Sequence, residues 1–146
     1  MKPNRIIIHC SDSLFGSAIE INRWHLEKGW NSIGYHFVIC NGQVENNNYL
    51  VCMDGAIERG RDIDNLGAHA REHNEDSIGI CLIGKESFTE SQFKSLEKLV
   101  KQLMFKYCIP VDRVIGHYEV SNKRCPNFDV GEFRDRITYI FSLKAT

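Results

Sequence analysis

The sequence predicts one α/β domain over residues 1–146, a mixed central β-sheet flanked by about three helices. Three observations lead there. Short apolar runs rich in isoleucine and valine recur, and their length and β-branching mark buried strands, not helices. They alternate with longer amphipathic stretches that open at capping-box spacings. The length of 146 residues suits a single domain, and no internal repeat, linker or low-complexity segment interrupts it.

In chain order, Arg5-Ile6-Ile7-Ile8-His9-Cys10 predicts a central strand, broken by Ser11-Asp12-Ser13. Ser17-Ala18-Ile19-Glu20 has capping-box spacing; the helix behind it carries Ile21, Trp24 and His25 and stops near Lys28-Gly29. Residues 35–40 read as a second strand. Asn41-Gly42 is a hairpin signal because both positions tolerate positive φ, and Gln43-Val44-Glu45 would pair back. After the polar loop Asn46-Asn47-Asn48, a second turn at Asp54-Gly55 would separate residues 49–53 from 56–59, giving a meander.

Residues 62–76 are polar and irregular and hold His69 and His73. Residues 77–84 form the clearest buried strand, whose glycines predict close backbone approach. Thr89-Glu90-Ser91-Gln92 is a second capping box, opening a helix to about Tyr107 with Phe93, Leu96, Leu99, Val100, Leu103 and Met104 on one face. Arg113-Val114-Ile115-Gly116 predicts the next strand. Asp129-Val130-Gly131-Glu132 offers a third cap, and a last helix carries Phe133, Ile137, Ile140 and Phe141.

Composition bounds the function. The chain is 42% hydrophobic and 25% charged, ordinary for a soluble domain. A net charge of -1 argues against nucleic acid or an anionic membrane as the main partner. No run reaches the roughly 20 apolar residues of a membrane span, and residues 1–8 carry no export-like segment. The cysteines, Cys10, Cys40, Cys52, Cys81, Cys108 and Cys125, lack tight spacing and mostly lie in or beside apolar runs. Reduced thiols in a protein made in the cytoplasm are expected; action on a target outside would need release or export. A domain of this size buries roughly 68–70% of its unfolded surface, so any metal serves chemistry more than folding.

The chemistry concentrates between Gly116 and Asp129. His117 and Cys125 are eight residues apart, with Lys123 between them and Pro126 after them. Imidazole and thiolate are ligands zinc favours, and a catalytic zinc takes three protein ligands and one open position. His9, at a strand end where α/β folds place sites, is the best third candidate. Lys123 and Arg124 are expected to lower the pKa of Cys125. The same residues allow a rival chemistry, with Cys125 as nucleophile and His117 or His9 as base. Pro126-Asn127-Phe128 keeps Cys125 from the helix start where such a nucleophile usually sits. Taken singly, Tyr35 reads as a cross-strand aromatic, and His69 as a loop histidine or a substrate contact. His25, His36 and His73 read as structural.

Several stretches together resemble a known family: Ile8-His9-Cys10-Ser11, Trp24-His25 with Gly29-Trp30, Gly34-Tyr35-His36-Phe37, Gly60-Arg61, Gly67-Ala68-His69-Ala70, Asn74 with Ser77-Ile78-Gly79-Ile80, Gly116-His117 with Glu119, and Lys123-Arg124-Cys125-Pro126 with Phe128-Asp129. Their order resembles the zinc-dependent N-acetylmuramoyl-L-alanine amidases of the amidase type 2 family, which includes phage amidase-type lysozymes and peptidoglycan recognition proteins. The similarity runs from about Arg5 to Ile137 and is nearest the small phage-type enzymes. It implies an amidase-like fold, Zn2+ held by His9, His117 and Cys125, Tyr35 and Lys123 as catalytic residues, and His69 in the substrate groove. It implies peptidoglycan or a muropeptide as substrate, cut between N-acetylmuramic acid and L-alanine. Glu119 is a candidate to support a ligand histidine. The segment from Cys40 to Met53 is longer than in the shortest phage enzymes and resembles bacterial or prophage versions. Two alternatives stay open: a recognition module that grips the glycopeptide without cutting it, and an amidase of soluble fragments.

Overall fold

The computed structural model describes residues 1–145. It contains β1 (Arg5–Cys10), α1 (Ala18–Glu27), β2 (Phe37–Glu45), β3 (Asn48–Arg59), β4 (Ser77–Leu82), α2 (Glu90–Tyr107), β5 (Val114–Gly116) and α3 (Val130–Ala145). The strands form one sheet in the order β3-β2-β4-β1-β5. β1 runs parallel to both β4 and β5, β2 runs parallel to β4, and only β3 is antiparallel. This is the mixed sheet with three helices that the apolar runs predict.

Alternation along the strands sorts side chains onto two faces. Ile6, Ile8, Ile78, Ile80 and Leu82 pack with Leu96, Val100 and Leu103 of α2 and with Val130, Phe133 and Ile137 of α3. On the other face Val38, Cys81 and Ile83 pack with Ala18 and Ile21 of α1 and with Ile33. Ile7 and His9 alternate onto that second face, which carries the site.

The caps form where the sequence places them. The Ser17 hydroxyl accepts from the Glu20 N–H at 3.2 Å, although the Glu20 carboxylate pairs with Arg23 and leaves the box half closed. Thr89 and Gln92 make a complete reciprocal box. Asp129 accepts from the Glu132 N–H at 3.0 Å. On α2 the buried position of the first turn belongs to Gln92, while Phe93 joins Phe88 and Phe128 in an aromatic cluster at the edge. Gln92 Nε2 donates to the carbonyls of Ile39 at 3.0 Å and Ile83 at 2.8 Å, tying the helix to β2 and to the end of β4. Gln92→Leu is therefore expected to lower unfolding free energy by about 1–3 kcal/mol, read from a urea transition, because it strands buried acceptors.

The meander is the expectation that the structure corrects. Neither Asn41-Gly42 nor Asp54-Gly55 turns the chain; β2 and β3 run through both and form one long hairpin, turned at Asn46-Asn47. Gly42 and Gly55 do take positive φ, +89° and +85°, but at irregularities inside the ladder, where Asn41 pairs with Asp54. The bulged region is held from outside: Thr89 Oγ1 donates to Asp54 Oδ1 at 2.6 Å and Ser95 Oγ to the Gly55 carbonyl at 2.5 Å. Tyr35 also departs from expectation, since it precedes β2 and is not a cross-strand residue. Arg113 belongs to a 3-10 turn at Val111–Arg113 ahead of β5.

Candidate active site

Parallel strands bring the histidines together. The β1–β5 register runs Ile6 with Val114, Ile7 with Ile115 and Ile8 with Gly116. The next residues on the two chains are His9 and His117, whose ring centroids are 4.5 Å apart. The loop beyond His117 then folds back. The Tyr118 N–H donates to the Cys125 carbonyl at 2.8 Å, and the Ser121 hydroxyl donates to the His117 carbonyl at 3.0 Å. The Cys10 N–H donates to Cys125 Sγ at 3.1 Å, anchoring the sulfur at the end of β1. One ligand atom each from His9, His117 and Cys125 thereby lies within 4.8 Å of the others.

This donor set fits zinc. Bonds of about 2.0–2.3 Å in a tetrahedral site put ligand atoms roughly 3.5 Å apart, a small closure from the observed spread. Both imidazoles are held in the neutral form that ligation needs. Burial lowers His9 well below its ordinary pKa, with His69, His117 and Lys123 adding to it; burial and then Lys123 lower His117. Cys125 departs from expectation. Lys123 and Arg124 do not lower its pKa: hydrogen bonding with the Cys10 thiol and burial push it up. A metal-free Cys125 is thus a protonated thiol, ready to lose its proton to a metal and poorly suited to act as an activated nucleophile.

The other candidates surround the cluster. The Tyr35 ring lies 5.1 Å from the His9 ring. Burial, with the Cys81, Cys125 and Cys10 thiols nearby, pushes its hydroxyl well above the ordinary range, so Tyr35 is a proton donor at neutral pH. Lys123 is exposed and, with Trp30, Arg71, Asn122, His69 and His117, lines an open cleft of about 630 Å³. His69 is only 8% exposed, and both ring nitrogens are engaged: Nδ1 with His9 Nε2 at 2.9 Å and Nε2 with Ser77 Oγ at 3.3 Å. Little of it is free to hydrogen-bond a substrate. Glu119 does not support a ligand histidine; its carboxylate accepts from the Gly116 N–H at 2.6 Å and pairs with Arg134 at 2.8 Å. It stiffens the end of β5 instead.

The profile of the N-acetylmuramoyl-L-alanine amidase family matches residues 1–128. The chain belongs to that family. It is 38% identical over 136 residues to the endolysin of Escherichia phage T7, covering 86% of this chain and 81% of the endolysin. Its fold is similar to that of the amidase LysC from Clostridium intestinale URNW, with a TM-score of 0.81, 31% identity, and 94% and 87% of the two chains covered. It is also similar to a Drosophila peptidoglycan recognition protein, a point mutant of PGRP-LB in complex with tracheal cytotoxin. There the TM-score is 0.68 with 29% identity, covering 86% of this chain and 76% of that one.

In this amidase several supports of the site have roles that their place in the sequence does not announce. Cys10 contributes its backbone N–H, which no side-chain pattern announces. Asn74 Oδ1 accepts from the N–H groups of His69 and Ala70, both at 2.9 Å, and so shapes the turn that presents His69. Ser77 and Cys81 touch His69 and Tyr35 from β4, where alternation along the strand puts Ser77, Gly79 and Cys81 on the face that carries the site. All six cysteines are free thiols, as expected. His25 and His36 are structural: Nδ1 of each accepts a backbone N–H, from Gly34 and Gly79 respectively, at 3.0 Å. Burial, then Lys28 and Arg61, lower His25 to about 4. Its depressed value means that the unfolded chain takes up the proton first, so this contribution to stability is lost as pH falls from about 6.5 toward 4. NMR titration of the His25 ring should show it neutral down to about pH 4, and a midpoint near 6.5 would contradict this.

Proposed function

We propose that this chain is a zinc-dependent amide hydrolase that cleaves the bond between N-acetylmuramic acid and L-alanine in peptidoglycan or a soluble muropeptide. The observation that carries the reading is the convergence of His9, His117 and Cys125 at the end of β1 and β5, beside a cleft lined by Lys123 and open to solvent. Those residues would hold the metal. Bound zinc would supply Lewis acidity toward a water molecule and the scissile carbonyl.

The chain's own residues do the rest. Lys123 brings a cation to the cleft wall, where negative charge develops on the carbonyl oxygen as the tetrahedral centre forms. Tyr35, kept protonated beside His9, donates a hydrogen bond that orients the attacking water or passes a proton. The Cys10 N–H fixes Cys125 Sγ and favours its anionic form. Trp30, 40% exposed and packed against His25 with centroids 4.3 Å apart and the rings tilted by 45°, gives the cleft an apolar wall.

Among the described residues no helix is long and apolar enough to cross a membrane. We infer that the enzyme works on the cell wall after release from the cytoplasm in which it is made. The test is mass spectrometry of purified peptidoglycan after incubation with the protein. Free glycan and stem peptides with an L-alanine amino terminus are expected. Retention on peptidoglycan without any new L-alanine amine would replace this reading with a recognition module.

A further inference from the structure

Four groups around the site form a chain of hydrogen bonds whose direction can be read from valence alone. The Ser77 hydroxyl lies 2.5 Å from the His73 carbonyl oxygen, which can only accept. The single Ser77 proton is therefore spent there. Toward His69 Nε2, at 3.3 Å, Ser77 Oγ can only accept, so Nε2 carries the proton. Above pH 7 an imidazole is ordinarily neutral and carries one N–H. His69 Nδ1 is then bare and accepts, at 2.9 Å, from His9 Nε2–H. His9 Nδ1 is left with the lone pair.

We infer that His69 is a positioning residue: seated on β4 and oriented by Ser77, it locks His9 in the Nε2–H tautomer and leaves Nδ1 as its metal-binding atom. The fold is shaped to hold this imidazole. A Cβ on Gly79 would meet His69 Cγ at 2.5 Å, and one on Gly67 would press on His69 Cδ2. Both glycines are thus required by the close approach of the ring. Asn74 fixes the backbone on which His69 sits. The His9 and His69 rings meet edge to face at 88°, with centroids 4.9 Å apart, so the contact is directional and not a stack. A metal-bound histidine commonly donates its second N–H to an acceptor that sets its tautomer; here the acceptor is another neutral histidine, itself set by a serine.

The effect on metal affinity rests on the proposed zinc site, but the tautomer does not. Long-range 15N–1H correlation NMR of the metal-free protein at pH 7.5 reads it directly. The expected spectrum shows His9 and His69 both protonated at Nε2 and bare at Nδ1. Protonation of His9 at Nδ1 would overturn the inference. Competitive zinc titration gives the second arm. His69→Leu removes the acceptor and should weaken zinc binding by about 10–100-fold. His69→Asn, which can offer an amide oxygen to His9, should recover most of that loss. Parental zinc affinity in His69→Leu would also overturn the inference. A parent protein that binds no zinc would sink the metal assignment, while the tautomer would stand or fall on the NMR spectrum alone.

Discussion

Cys125→Ala is expected to yield a folded protein that retains no zinc and releases no L-alanine amine from peptidoglycan. A catalytic zinc site has three protein ligands, and removing the thiolate leaves two neutral imidazoles and no anion. The fold should survive, because the apolar layers between the sheet and its helices are complete without the site. Cys125 lies in a loop closed by backbone hydrogen bonds, not in either core cluster. Chelation of the parent should have the same effect, reversed by added zinc. Metal analysis, far-UV circular dichroism and product analysis on the same sample decide the matter. A zinc-replete, active Cys125→Ala protein would refute the ligand assignment. Loss of secondary structure on zinc removal would show that the metal holds the fold as well.

Lys123→Ala is expected to lower turnover by about 10²–10³ while zinc content stays at the parental level. Lys123 is exposed on the cleft wall and is not among the residues that cluster as ligands, so its removal spares the metal. In the proposed mechanism its charge acts where the oxyanion forms, an interaction stronger in the transition state than in the ground state, so kcat should fall much more than KM rises. Tyr35→Phe should cost about 10²–10⁴ in kcat by removing a proton donor. The ring that packs against His25 and the apolar cluster beneath α1 is retained, so stability should change little. Steady-state kinetics on a soluble muropeptide separates these effects. Parental rates in both variants would remove Lys123 and Tyr35 from the mechanism.

The hairpin shows how local signals can mislead. Asn-Gly and Asp-Gly favour positive φ wherever they occur, and both glycines do adopt it. A tight turn and a bulge inside a ladder make the same local demand. What selects the bulge is distant in sequence: Thr89 and Ser95 of the α2 region grip Asp54 and Gly55, and Asn41 reaches the Leu14 carbonyl at 3.1 Å. The same limit applies to Glu119, whose spacing from His117 suggested a supporting role. Arg134, on a helix packed against β5, claims the carboxylate.

The sequence by itself determined the central strands β1, β4 and β5, the helix caps and the set of candidate ligands. Runs such as Ile6-Ile7-Ile8 must be buried on both faces, caps act within a single turn, and imidazole and thiol side chains are the donors that a zinc site uses. Tertiary structure decided how those donors meet. Parallel pairing in register carries His9 and His117 to the same end of the sheet, and a returning loop sets Cys125 against the Cys10 N–H. It also decided what His69 does. Whether a histidine in a polar loop faces solvent or a ligand's second nitrogen depends on the space over Gly79 and on the direction of the Ser77 hydroxyl. Both are properties of the strand beneath it, and no pattern in the loop's own residues encodes them.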